Sequence, residues 1–287
     1  MTHIPHSLSR ALRRALLVRA LAARALPVLA LTPIACSEPG AAAQGGDAPG
    51  WFGRRPDGAA AVIEPSARRY QESVVAGTGQ LRGTVTFEGV RPPDSTVTPT
   101  SHQDVCGQTL MDEQVALSGD RLAGAVVWLA DARTGKRVPL ARRFELVNAR
   151  CRLEPRVQAA LVGGTLNVRN DDPAPHRSRF VRQRTGRTIA SVSQTDAGQV
   201  VPVDRVFPEA GLIEVRCDDH PWTRAWIAVF DHPYFAVTAA DGRFTMDSVP
   251  PGAYRLVAWH PRLGRVERKV KVANGAAESV ELELKGR

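Results

Sequence analysis

Cys217 and His220 stand three residues apart in the stretch Cys217-Asp218-Asp219-His220-Pro221-Trp222, and His176 lies upstream on a proline-rich loop that follows Asn170. A thiolate with two imidazoles in a trigonal arrangement suits copper in both its Cu(I) and Cu(II) states. Structural zinc asks for four strong ligands, and only three stand out here. Taken singly, a loop histidine is ordinarily a surface residue and an inward cysteine a small core residue. The combination is what points to a metal.

The cysteine count points the same way. The chain carries four, Cys36, Cys106, Cys151 and Cys217. Cys36 falls in the N-terminal segment, which leaves three for the folded part. In an oxidising compartment two would pair and one thiol would be left over, and metal ligation is a reason to keep it.

Export is read from residues 1–35. They hold Arg10, Arg13, Arg14, Arg19 and Arg24, no acidic residue, and an apolar run from Ala25 to Ala35. A basic segment, a short apolar segment and then small residues is the layout of a secretory signal, although a transit peptide is also arginine-rich and acid-poor. Arg13-Arg14 faintly resembles a twin-arginine signal. Ala41-Ala42-Ala43 offers a signal-peptidase site, while Leu31-Thr32-Pro33-Ile34-Ala35-Cys36 resembles a lipoprotein site at which Cys36 would be acylated. A periplasmic or extracellular protein is expected, with membrane attachment only through such an anchor. No later apolar run has the length to cross a bilayer.

The formal charge of +9 is largely that segment's: without its five arginines, 33 basic residues face 29 acidic ones, a net +4. With no basic–aromatic patch, nucleic-acid binding is not expected. Nucleophile elbow, HExxH, phosphate-cradling glycine loop and paired-carboxylate motif are all missing from the sequence, so an enzyme is not expected.

The elements that must position the three residues are strands. Ile213, Val215 and Cys217 share one face of a strand over 212–217, with Glu214 and Arg216 on the other, so the thiol is expected to point into the core. Alternation also marks strands over 81–88, 165–169 and 280–284, and apolar runs mark 122–130 and 225–230. Strand-like runs continue over 254–259 and 266–272. Asp241-Gly242 reads as a hairpin turn and Pro250-Pro251-Gly252 as a tight turn. Residues 36–78, rich in Ala, Gly, Pro and Ser, read as a flexible linker in which Trp51, Phe52 and Tyr70 are sparse. No helical period is evident outside the signal. An all-β fold of sandwiches is predicted.

From about residue 79 onward the chain resembles exported bacterial proteins that join a plastocyanin-like cupredoxin domain to a carboxypeptidase-regulatory-like, transthyretin-like β-sandwich. The matching residues are Val105-Cys106-Gly107, Asn170-x-Asp172-Pro173-x-x-His176, Cys217 to Trp222, Asp231-His232-Pro233, Asp241-Gly242-Arg243-Phe244, Val249-Pro250-Pro251-Gly252-Ala253-Tyr254 and Ala258-Trp259-His260. The resemblance implies a Greek-key cupredoxin fold, copper as cofactor, electron transfer and a redox protein partner. Its ligand set here is His176, Cys217 and His220.

Two positions depart from the pattern. Thr223 stands where the family places the weak axial Met, and Arg177 stands where it places an Asn that braces the cysteine loop. The axial bond is then weaker or lost, and a degenerate site in a non-redox module that binds a glycan or a protein is the alternative reading. Asp218 and Asp219 are candidates to pair with Arg177. The expected disulfide is Cys106–Cys151, tying the outer sandwich to the start of the insert. The cupredoxin-like unit, 136–232, is expected inside an outer sandwich made of 79–135 and 233–287, or else in tandem with it. His232 and His260 are expected to be structural, His102 exposed, and Trp128, Trp222, Trp226 and Trp259 core or site-wall residues.

Overall fold

A computed structural model describes residue 63, residues 69–140 and residues 142–286 of the chain. The signal, its cleavage sites, Cys36 and most of the linker lie outside the described residues. Among the described residues the fold is all-β apart from one helical turn, Gln103–Cys106, and it builds β-sandwiches as predicted. No described helix is long and apolar enough to cross a membrane.

One sandwich is made from the middle of the chain. Its five-stranded sheet runs in the order Val157–Leu161, Arg224–Phe230, Gly211–Cys217, His176–Arg182, Thr188–Gln194. Facing it are Arg152–Glu154, Arg143–Ala149, Thr165–Asn170 and Val200–Val203. Leu146, Leu166, Val168, Phe180, Ile213, Val215 and Ile227 fill the space between them. The other sandwich draws on both flanks of the sequence. Gly79–Glu88 pairs in parallel with Ala277–Lys285 and antiparallel with Arg243–Val249, while Val126–Leu129 lies between Phe235–Val237 and Gly252–His260, with Gly264–Val272 beyond. Leu81, Val85, Leu122, Val127, Phe244, Leu256 and Leu282 form its core.

A third apolar cluster joins the two. Val126, Trp128, Val257 and Trp259 meet Val157, Leu212, Ala228 and Phe230. This seam explains a departure from simple alternation in Gly211–Cys217. Glu214 was expected on a polar face with Arg216, yet it is buried, because the seam that takes in Leu212 covers that side of the sheet too. Glu214 stays charged-paired there, with Arg216 and Arg224 at 2.8 and 2.9 Å.

Three local readings are corrected. The apolar run 122–130 is two strands in different sheets, Arg121–Leu122 and Val126–Leu129, separated where Gly124 takes φ 69°. Asp241-Gly242 turns the chain, with Gly242 at φ 72°, but the strands on either side belong to different sheets, so it is an arch and not a hairpin. Residues 69–78 are placed and not simply linker: Gln71–Glu72 pairs in parallel with Thr134–Gly135, and the Tyr70 hydroxyl donates to the Lys136 carbonyl at 2.7 Å.

Candidate metal centre

Sheet register brings the first two ligands together. In the antiparallel pair His176–Arg182 and Gly211–Cys217, Ser178 stands opposite Cys217. His176, Ser178 and Phe180 alternate with exposed Arg177 and Arg179, so His176 shares the inner face and lies diagonal to Cys217, within side-chain reach. His220 arrives on the loop after Cys217, where the Thr223 amide donates to the His220 carbonyl at 3.0 Å and closes a turn. Cys217 Sγ then lies 3.6 Å from His176 Nδ1 and 3.6 Å from His220 Nδ1, and the two nitrogens are 3.0 Å apart. All three side chains are buried, at 1 %, 2 % and 0 % exposure for His176, Cys217 and His220. Cys217 is the free cysteine among the described residues, since Cys106 and Cys151 form a disulfide.

Each ligand is held by backbone groups. The Asn170 side chain accepts from the Asp172 amide and donates to the Ala174 carbonyl, which shapes the proline-rich loop leading to His176. Asp172 accepts from the Arg150 and Cys151 amides at 2.6 and 2.8 Å, and its Oδ2 lies 3.1 Å from His176 Nε2. Asp172 therefore orients the ring whose other nitrogen faces the thiol, the usual arrangement of a ligating histidine and its outer partner. The His220 loop is pinned by the Asp218 amide to the Arg177 carbonyl, by Ser101 Oγ to the Asp219 carbonyl and by Trp222 Nε1 to the Cys151 carbonyl.

The electrostatics separate the two imidazoles. Burial, the largest single influence on His176, pushes its pKa down, but hydrogen bonds and charge from Asp172 and Cys217 outweigh it and raise the value to about 9. His220 is lowered to about 4, first by burial and then by the charges of His176 and His102. For Asp172, burial works upward, yet the bonds from His176, Cys151 and Arg150 outweigh it and hold the carboxyl below its ordinary range.

The donor set fits copper. A buried thiol and two imidazole nitrogens converge, and among the described residues no fourth strong ligand joins the cluster, which suits a trigonal His₂Cys copper site better than a structural zinc site. Cys106, Cys151 and His220 also converge, but both sulfurs are tied in the disulfide and offer no thiolate. Thr223 is buried beside the set, and its Oγ1 accepts the Leu153 amide at 2.8 Å. Arg177 is exposed; the Asp218 carboxylate pairs instead with Arg179 at 2.7 Å. His102, expected to be exposed, is half-buried with its ring against His220, centroids 5.3 Å apart. His232 and His260 accept backbone amides from Tyr234 and Arg262, in keeping with a structural role. Two contributors escaped sequence reasoning, Asp172 as the partner of His176 and His102 as the neighbour of His220. The Asp four residues before His176 was a signal for the first; no spacing signalled the second.

The family described as polysaccharide lyase family 4, domain II, matches over residues 219–280. No curated protein matches the chain. Among solved structures, a purple cupredoxin from Nitrosopumilus maritimus is similar at 22% identity over 30% of this chain and 98% of that one, with a TM-score of 0.25. Amicyanin from Paracoccus versutus is similar at 21% identity over 32% of this chain and 85% of that one, TM-score 0.27. A copper-containing nitrite reductase from Thermus scotoductus is similar at 18% identity over 34% of this chain and 24% of that one, TM-score 0.28.

Proposed function

We propose that this chain is an exported copper-binding protein that transfers electrons and is not an enzyme. The observation that carries the reading is the convergence of Cys217 Sγ with the Nδ1 atoms of His176 and His220 in a buried site. Copper held there would supply one-electron chemistry by cycling between Cu(I) and Cu(II). The protein's part is to hold the ligands still. Strand register sets Cys217 and His176, the pinned loop sets His220, and burial keeps water from the thiol. His176, Cys217 and His220 would hold the copper, and Thr223 offers no thioether to add to them. The disposition of the two cores supports an insertion of 136–232 into a sandwich of 79–135 and 233–287. Periplasmic or extracellular location, Cys36 as a candidate lipid anchor and a redox protein as partner complete the proposal.

Copper titration of the mature protein with visible absorption and EPR tests it. One equivalent of Cu(II) is expected to give an intense thiolate-to-copper charge-transfer band that Cys217→Ala abolishes. No stoichiometric uptake would refute the copper site and pass the chain to the alternative, a non-redox β-sandwich module for a glycan or protein.

A further inference from the structure

His220 Nε2 is buried and makes no hydrogen bond, although the residue is fully enclosed. His102 Nδ1 is also buried without a hydrogen bond. The two rings lie 5.3 Å apart between centroids, tilted by 51°. One N–H···N bond of about 3 Å between imidazoles sets their centroids roughly 5 Å apart, so the observed ring spacing is compatible with such a bond.

The chemistry of the ligand decides the direction of that bond. His220 Nδ1 faces Cys217 and His176 and must present its lone pair to a metal. A neutral imidazole that ligates through Nδ1 carries its proton on Nε2. His220 Nε2–H is then a buried donor that needs an acceptor, and an unpaired buried donor is costly. His102 Nδ1, in the tautomer with its proton on Nε2, is an acceptor in need of a donor. The His102 side chain makes no bond to the helical turn it opens, so nothing else claims it.

The segment that carries His102 is fixed on both sides. Ser101 Oγ donates to the Asp219 carbonyl at 2.7 Å, inside the His220 loop. Cys106 is bonded to Cys151, whose amide donates to Asp172 behind His176. His102 itself sits in the left-handed region, φ 50° and ψ 42°, a conformation that asparagine shares readily.

We propose that His102 is a positioning residue of the metal centre, accepting the Nε2 proton of His220 and fixing that ligand's ring and tautomer. This deepens the copper reading and rests on it. The ligand loop and the strap that braces it thus come from distant parts of the chain.

The test uses the full mature chain with ¹⁵N-labelled histidine, loaded with Cu(I), which is diamagnetic. Wild-type protein is expected to show a His220 Nε2-bound proton that exchanges slowly with water. His102→Phe keeps a ring but removes the acceptor; it should speed that exchange many-fold and weaken Cu(I) binding several-fold. His102→Asn places Oδ1 close to the position of Nδ1 and suits the backbone, so it should keep most of both properties. Unchanged exchange in His102→Phe overturns the proposal, even if affinity falls, because lost packing alone would do that. Exchange in His102→Asn as fast as in His102→Phe also overturns it. A wild-type chain that takes up no Cu(I) removes the copper reading itself, whereas uptake with insensitive variants removes only the role of His102.

Discussion

At the scale of single residues, the site is a set of ligands and the groups that aim them. Asp172 is the clearest of the latter, since it receives two backbone amides and faces His176 Nε2. A carboxylate there makes the ring a better electron donor and, with copper bound as proposed, would favour Cu(II). Asp172→Asn is therefore expected to raise the reduction potential and to weaken copper binding by about ten- to a hundred-fold, the usual consequence of removing such a partner. Potentiometry and competition with a chelator check both. Thr223 makes a different case, because its hydroxyl accepts the Leu153 amide. Thr223→Val should destabilise the fold by about 1–3 kcal/mol through the orphaned amide while leaving the charge-transfer band in place. A band that moves markedly would give the hydroxyl an axial role. Residue type singled out Cys217, His220 and His176, and strand alternation set the Cys217 thiol inward. His102 was not, because its polar neighbours read as surface and only the fold lays them on another loop.

At the scale of elements, the strands were mostly legible and their partners were not. Alternation marks a strand such as Ala277–Lys285 but says nothing of which neighbour it takes. The run 122–130 was read as one strand because apolar residues continue through Gly124, where the chain in fact leaves one sheet for another. Glu214 escaped for a similar reason: alternation assumes one wet face, and at Glu214 the seam covers it. The disulfide is the element that ties the sandwiches' loops, closing a separation of 45 residues. Replacing Cys106 and Cys151 together by Ser should cost about 2–4 kcal/mol, read by denaturant unfolding of the metal-free protein. It should also hasten loss of Cu(I) to a chelator, since both the Asp172 brace and the His102 strap lose their shared anchor.

At the scale of the whole molecule, buried histidines set the acid limit. Burial is the first cause in each case, lowering His232 to about 4 and His260 to about 3. In the unfolded chain both protonate near the ordinary histidine pKa of about 6.5. The unfolded state thus binds more protons between the two values, so this stability is full above about pH 6.5 and is lost as pH falls toward 4 and 3. His232 contributes on the order of 3 kcal/mol and His260 on the order of 5 kcal/mol. Unfolding of the metal-free protein should show that slope, flattened in a His232→Asn, His260→Asn double variant. His176 works oppositely: its raised pKa stabilises the metal-free fold below about 6.5, and that part is lost as pH rises through about 9.

The parallel pairing of Gly79–Glu88 with Ala277–Lys285 has a consequence in time. As the chain emerges from a ribosome, the middle sandwich has all of its strands while the flanking one still lacks its last. The strand Gly79–Glu88 must wait with that edge uncovered until nearly two hundred later residues have passed, a long-range closure that is slow by nature and open to mispairing in the interval.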